Sequence, residues 1–164
     1  NALRSMMRLC IAGQLALMPA SVAILAPWVN AFRRLRKNLT EPVFNSWGYN
    51  TRSAALRIPC SEESNRRIEY RLAGADANPY LVAATILTGM LYGLEHIDEG
   101  ELPEPQQDHP ELPLFQQEAI EAFARCQYLT DSLGDAFSEQ WVACKLSELE
   151  WFERIVTQEE SHLA

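Results

Sequence analysis

The spacing of apolar residues divides this chain into segments of different period. Leu3 to Leu25 is apolar at most positions, which predicts a buried helix with a break or bend near Pro19, where the backbone loses a donor. Residues 27–50 follow no period and are anchored by Trp28, Phe32, Phe44, Trp47 and Tyr49. From Ser53 to Pro59 the period becomes two, as in a strand: Ala54, Leu56 and Ile58 face one way, Ala55 and Arg57 the other. A polar connection, Cys60 to Arg66, leads to a second strand, Arg67 to Leu72, with Ile68, Tyr70 and Leu72 on the core side. The two strands are close enough to pair antiparallel, which would set Arg57 on the same face as Glu69. Residues 73–77 turn. Asn78 then has the character of an N-cap with Pro79 at the first helical position, and a helix follows to about His96. Residues 98–113 hold four prolines and many acids and read as a surface loop. Helices resume at about Leu114 to Arg125 and Asp135 to Glu160. In the last, Phe137, Trp141, Cys144, Leu149, Phe152 and Ile155 recur at helical spacing and predict a core stripe.

These elements define an α+β fold in which short antiparallel strands carry the polar groups, several helices pack them, and the C-terminal half is mostly helical. One domain accounts for residues 1–164, with a helix and strand region over 1–97, an acidic proline-rich loop over 98–113 and C-terminal helices over 114–164.

Charge changes this picture. The net charge of −8 hides an asymmetry: residues 1–71 hold eleven Arg and Lys against four Glu, and the rest holds three against eighteen acids. All the basic residues of the first part except Arg4 and Arg8 fall between Arg33 and Arg71. A basic segment in an acidic protein suits a small anionic ligand and argues against nucleic acid as a partner. Cys10, Cys60, Cys126 and Cys144 form no CxxC or Cys/His spacing, which fits reduced thiols in a cytoplasmic protein and argues against a zinc site within the chain. Arg8 ahead of an apolar run has the outline of a signal peptide, but a buried helix is the expectation there; Pro79 to Ile97 carries a GxxxG at Gly89 and Gly93, but polar interruptions favour a soluble core helix over a membrane span.

The chemistry concentrates in Arg67-Ile68-Glu69-Tyr70-Arg71. Alternation lines up Arg67, Glu69 and Arg71 on one face, with Arg57, Arg52 and Arg34 upstream. Such a face can gather anions and a metal. Its bland counterpart is a set of surface ion pairs, Glu69 serving as partner of Arg57 or Arg71.

Four segments in order carry a family resemblance. Asn30-Ala31-Phe32-Arg33-Arg34-Leu35, Thr51-Arg52-Ser53 with the strand that follows, Arg67-Ile68-Glu69-Tyr70-Arg71 and Asp76-Ala77-Asn78-Pro79-Tyr80-Leu81 resemble the glutamine synthetase family, in the C-terminal part of its catalytic domain. The tail is similar to the gamma-glutamyl-polyamine ligase branch. The resemblance implies ATP-dependent formation of a gamma-glutamyl amide from glutamate and ammonia or an amine, through gamma-glutamyl phosphate. It implies that Arg34, Arg52 and Arg71 bind substrate, that Arg52, Arg57 and Arg67 bind ATP with Arg52 at the transferred phosphate, and that Glu69 ligates Mg²⁺ or Mn²⁺. A homo-oligomer in the cytoplasm is implied for the full-length protein.

The departures from the family pattern are specific. A flap glutamate of the ammonia-using enzymes is replaced, without gaps, by Thr40, with Glu41 one position off; this favours a larger amine. A lysine that some relatives carry between the two strands has no match in residues 61–65. The remaining metal-binding glutamates, a metal-binding histidine and an N-terminal domain would all precede this segment. The expectation is therefore a C-terminal fragment, inactive alone, of a ligase; the alternative is a non-catalytic relative with a structural or regulatory role in an oligomer.

Overall fold

The computed structural model describes residues 2–35, 42–98, 102–105 and 110–155. The chain is α+β, a helical body carrying one small sheet: α1 (Ala2–Leu25), α2 (Val29–Arg34), β1 (Trp47–Tyr49), β2 (Leu56–Ile58), a 3₁₀ turn (Glu63–Asn65), β3 (Glu69–Tyr70), α3 (Pro79–His96), α4 (Gln116–Arg125), α5 (Gln127–Leu133) and α6 (Asp135–Glu153). α1 is the spine. Ile11, Leu15, Met18, Val22, Ile24 and Leu25 are buried in one cluster with Phe123 and Leu129 of the C-terminal helices and with Trp47, Leu56 and Leu72 around the sheet. Its stretch Ser5–Leu25 is long and apolar enough to cross a membrane, yet 78% of an 18-residue window within it is buried inside the fold.

α1 does not break at Pro19. A proline inside a helix deprives the carbonyl four residues earlier of its donor. Here that carbonyl belongs to Leu15, and it accepts a hydrogen bond from Asn45 Nδ2 at 2.9 Å. The segment entering the sheet thus supplies the bond that the helix lacks, which offsets one cost of the proline.

α3 crosses α1 through glycines. A Cβ on Gly89 would sit 3.1 Å from Gln14 Cα, one on Gly93 would run into the Leu9 carbonyl, and one on Gly13 would meet the backbone of Gly89 and Gly93. The buried residues of α3 are Thr85, Thr88, Gly89 and Gly93, whereas Leu87, Leu91 and Leu94 are exposed. The expected central helix therefore turns its small residues inward, because backbone contact leaves no room for leucine there. Asn78 caps it as expected, Oδ1 accepting from the Tyr80 and Leu81 amides at 2.9 and 3.4 Å.

The sheet has the order β1-β2-β3. β2 and β3 are antiparallel, with Leu56 opposite Tyr70 and Arg57 opposite Glu69. β1 lies in the stretch expected to be irregular and pairs parallel to β2, so the sheet is mixed rather than antiparallel throughout. The connection between them doubles back at Asn50, the one described non-glycine residue with positive φ (50°). Asparagine tolerates that left-handed conformation better than most residues. α2 and α5 were not expected either. α2 is a six-residue helix with only Ala31 and Phe32 buried, too short to show a helical period. In α5 a single residue, Leu129, is buried.

The expected stripe of α6 is only partly core. Phe137 and Trp141 pack against the cluster, but Cys144 and Ile155 are exposed. Lys145 is buried instead, 4% exposed, with its Nζ 4.3 and 4.7 Å from the ring centres of Trp28 and Trp141 and 2.7 Å from Glu148. Two aromatic faces and a carboxylate replace water around the ammonium. The continuation of α6 expected beyond residue 155 lies outside the described residues.

The glycine crossing makes a measurable prediction. Gly93→Val lowers unfolding stability by about 1–3 kcal/mol, the usual cost of forcing volume into a packed contact. Leu91→Ala on the exposed side of α3 changes it by about 0.5 kcal/mol or less. Urea denaturation of both variants checks the contrast.

Candidate active site

The polar face of the sheet is assembled by register. Because Arg57 and Glu69 are directly opposed on antiparallel strands, their side chains leave the sheet on the same side. Arg57 Nη1 donates to Glu69 Oε2 at 2.9 Å. Arg67, two residues before Glu69, donates to the other oxygen, Oε1, from Nη2 at 2.9 Å and from Nε at 3.2 Å. One carboxylate is thereby held between two guanidiniums. The side chains of Arg57 and Glu69 are 22% and 28% exposed, and that of Arg67 is 51% exposed, so the cluster opens to solvent on the Arg67 side.

Opposing effects act on Glu69. Partial burial pushes its pKa up, but hydrogen bonds and charge from Arg67 and Arg57 outweigh this and hold the carboxyl below its ordinary value. Arg57 is fixed further by Asn50, whose Oδ1 accepts from Arg57 Nη2 at 3.0 Å. The Asn50 amide in turn donates to the Ile58 carbonyl at 2.8 Å. The left-handed turn at Asn50 therefore serves the geometry of Arg57. Periodicity gave no sign of this residue; its only sequence signal is an asparagine at the end of a short apolar run.

Two of the other arginines border the continuation of the same strand. Arg71 Nη1 donates to the Ala54 carbonyl at 3.3 Å, and its amide donates to the Ala55 carbonyl at 2.9 Å. Arg52 is exposed in the turn two residues before Ala54 and forms no hydrogen bond or ion pair with the described residues. Arg34 arrives from α2, with Nη2 3.5 Å from the Leu72 carbonyl. Gly74 lies against its head: a Cβ there would stand 2.9 Å from Arg34 Nη2 and collide with the Asp76 carboxylate. That close approach, unlike the arginines, was not foreseen. The structure thus brings Arg57, Glu69 and Arg67 into contact and sets Arg71 and Arg34 beside the continuation of β3, while Arg52 stands exposed in the turn before β2. The flap positions Thr40 and Glu41 lie outside the described residues.

The opposite side of β3 secures it to α1. The phenol of Tyr70 is buried and its pKa is pushed upward by that burial, against a hydrogen bond with Ser21. The Gly74 amide donates to the Leu25 carbonyl at 2.9 Å.

A carboxylate kept ionised is a fit ligand for a hard divalent cation. Oε2 accepts one hydrogen bond, from Arg57, and retains a second lone pair, whereas Oε1 accepts two, both from Arg67. Glu69 stands alone in this respect: among the described residues no three His, Cys, Asp or Glu gather as a metal site. Among the described residues, Glu69 is therefore the carboxylate placed to serve as a single metal ligand.

The strand pair thus sets two guanidiniums around one ionised carboxylate on a face open to solvent. The family follows from comparison: residues 1–163 match the model of the glutamine synthetase catalytic domain, and the chain belongs to that family. It is 44% identical over 154 residues to the gamma-glutamylputrescine synthetase PuuA of Escherichia coli (strain K12), covering 92% of this chain and 33% of PuuA. It is 37% identical over 149 residues to lengsin of Mus musculus, covering 85% of this chain and 26% of lengsin. A solved structure described as apo GmaS without ligand superposes with a TM-score of 0.81 at 26% identity, covering 96% of this chain and 38% of that one. The chain therefore spans about a third of the length of such relatives, and the likeness is greatest, among these, to a polyamine-branch enzyme.

Acid titration checks the cluster. A carboxyl whose folded pKa is lowered adds stability above its unfolded pKa, and that stability is lost as pH falls through the folded value. Arg67→Gln and Asn50→Ala both raise the Glu69 titration midpoint, Asn50→Ala by releasing Arg57. Asn50→Asp keeps the acceptor but sets a second carboxylate beside Arg57, and that negative charge also raises the Glu69 midpoint. Carboxylate ¹³C NMR reads all three.

Proposed function

We propose that this chain supplies the anion-handling part of an ATP-dependent ligase that joins the γ-carboxylate of glutamate to ammonia or an amine, through gamma-glutamyl phosphate. The observation that carries the reading is the Arg57–Glu69–Arg67 cluster on paired strands, in a chain of the glutamine synthetase family. Transfer of the γ-phosphoryl group to a carboxylate brings two anions together, so the barrier is chiefly electrostatic. Arg57 and Arg67 neutralise the ATP phosphates. Arg52, exposed and without a partner among the described residues, takes the phosphoryl group in transit. Arg34 and Arg71 hold the glutamate and its acyl phosphate. A guanidinium offers two parallel donors to each anion, a geometry lysine lacks. Glu69 is the residue that would hold Mg²⁺ or Mn²⁺, which when bound would add positive charge at the phosphates. Glu69 also orients Arg57 and Arg67, so the salt-bridge reading and the metal reading of this residue are compatible.

Putrescine or a related amine is the preferred acceptor, supported by the name of the relative in Escherichia coli and by Thr40 at the flap position. The chain acts within a longer, cytoplasmic, homo-oligomeric protein and does not turn over alone, because one carboxylate cannot hold the metals that the family uses.

The test is γ-glutamyl transfer by the protein encoded by the whole reading frame, given ATP, Mg²⁺, glutamate and either ammonia or putrescine. Amine-dependent ADP release, higher with putrescine, is expected, together with a hydroxamate when hydroxylamine replaces the amine. Arg52→Gln lowers kcat by about 10²–10³-fold, as for loss of one donor at a developing anion. Absence of glutamate-dependent ADP release from the whole protein overturns the ligase reading; turnover by the 164-residue chain alone overturns the claim of its inactivity.

A further inference from the structure

The sheet has a second face, and the alternation of its strands ties that face to the arginine cluster residue by residue. Tyr49, Ile58 and Arg66 line a cleft there, and each is the sequence neighbour of a residue in the cluster: Asn50, Arg57 and Arg67. Met7, Arg8 and Ile11 of α1 form the opposite wall, and Trp47 completes it, giving a cleft of about 430 Å³. That volume is in the range of small-ligand sites. The aromatic wall is fixed in place: Trp47 and Tyr49 meet edge to face with centroids 5.5 Å apart, and Trp47 Nε1 donates to the Pro103 carbonyl at 2.7 Å.

Two guanidiniums enter this cleft without adequate counter-charge. Arg8 is half-buried and forms no hydrogen bond or ion pair with the described residues, and Arg66 reaches only Glu63, at 3.7 Å. A cation partly withdrawn from water without a carboxylate is costly, and an anion in the cleft relieves that cost. The rest of the lining is apolar or aromatic and offers a bare inorganic ion nothing.

We propose that this cleft is a second anion site, which takes a phosphate monoester or carboxylate attached to a flat, apolar body. Arg8 and Arg66 hold the anionic group, while Trp47, Tyr49, Ile58 and Met7 cover the body. The site is separate from the one assigned to ATP, on the other side of the same strands. Because Arg66 and Arg67 are consecutive, an occupant that moves Arg66 also moves a partner of Glu69, which makes the site suited to an effector. The binding claim does not rest on the ligase reading and fails or stands independently of it.

The test titrates the 164-residue chain with phenyl phosphate, inorganic phosphate and benzyl alcohol, following arginine Nε–Hε and backbone amide NMR signals. Phenyl phosphate is expected to shift Arg8, Arg66 and Tyr49 saturably and more tightly than either half-molecule. Arg8→Gln and Arg66→Gln, the latter at an exposed position, are each expected to weaken it tenfold or more. Shifts confined to Arg52, Arg57 and Arg67 overturn the proposal, as do equal binding of benzyl alcohol or unchanged affinity in both variants.

Discussion

The contact on which the rest depends is the crossing of α1 and α3 at Gly13, Gly89 and Gly93. With no Cβ on either side, the two backbones come close enough that Gly93 meets the Leu9 carbonyl. This crossing sets α1 as a buried spine, and the sheet is then secured to that spine at three points: hydrogen bonds from Asn45 to the Leu15 carbonyl and from the Gly74 amide to the Leu25 carbonyl, and the packing of Tyr70 against the core cluster. Each tether lies close in sequence to a residue of the polar face. Moving α1 outward by the width of one methyl group would shift all three, and the position of β3 with them. Packing far from any charge thus decides where the charges sit.

On that support the polar face is built as an excess of cation over anion. Glu69 is shared by Arg57 and Arg67, while Arg71 and Arg34 border the continuation of the same strand. The shared carboxylate does two things at once. It keeps the two guanidiniums from drifting apart under their mutual repulsion, and it leaves net positive charge facing solvent. Lys145 shows the opposite solution in the same molecule: a cation meant to stay silent is enclosed by Trp28 and Trp141 and neutralised by Glu148. Comparing the two separates charges held for packing from charges held ready for a ligand.

Membership of the glutamine synthetase family and a span of about a third of its relatives' length fit this arrangement. The described residues offer several guanidiniums and one carboxylate held between two of them, and among the described residues no three His, Cys, Asp or Glu gather as a metal site.

Much of this was legible in the residues. Alternation over 53–59 and 67–72 identified both strands of the site and which side of each faces out, because a period of two admits a single assignment once one face is apolar. The Asn78–Pro79 start of α3 and the amphipathic α4 were equally plain, since capping and helical spacing are local properties. Short elements with one or two buried residues, α2, β1 and α5, left too little pattern to be seen. What only the tertiary structure decided are relations between distant segments: the parallel partner of β2, the inward turn of glycines in place of leucines on α3, Asn45 satisfying the helix at Pro19, and a lysine inside α6. Local sequence encodes a residue's direction from its own backbone. It does not encode what waits at the other end, because that depends on the summed packing of elements far apart in the chain.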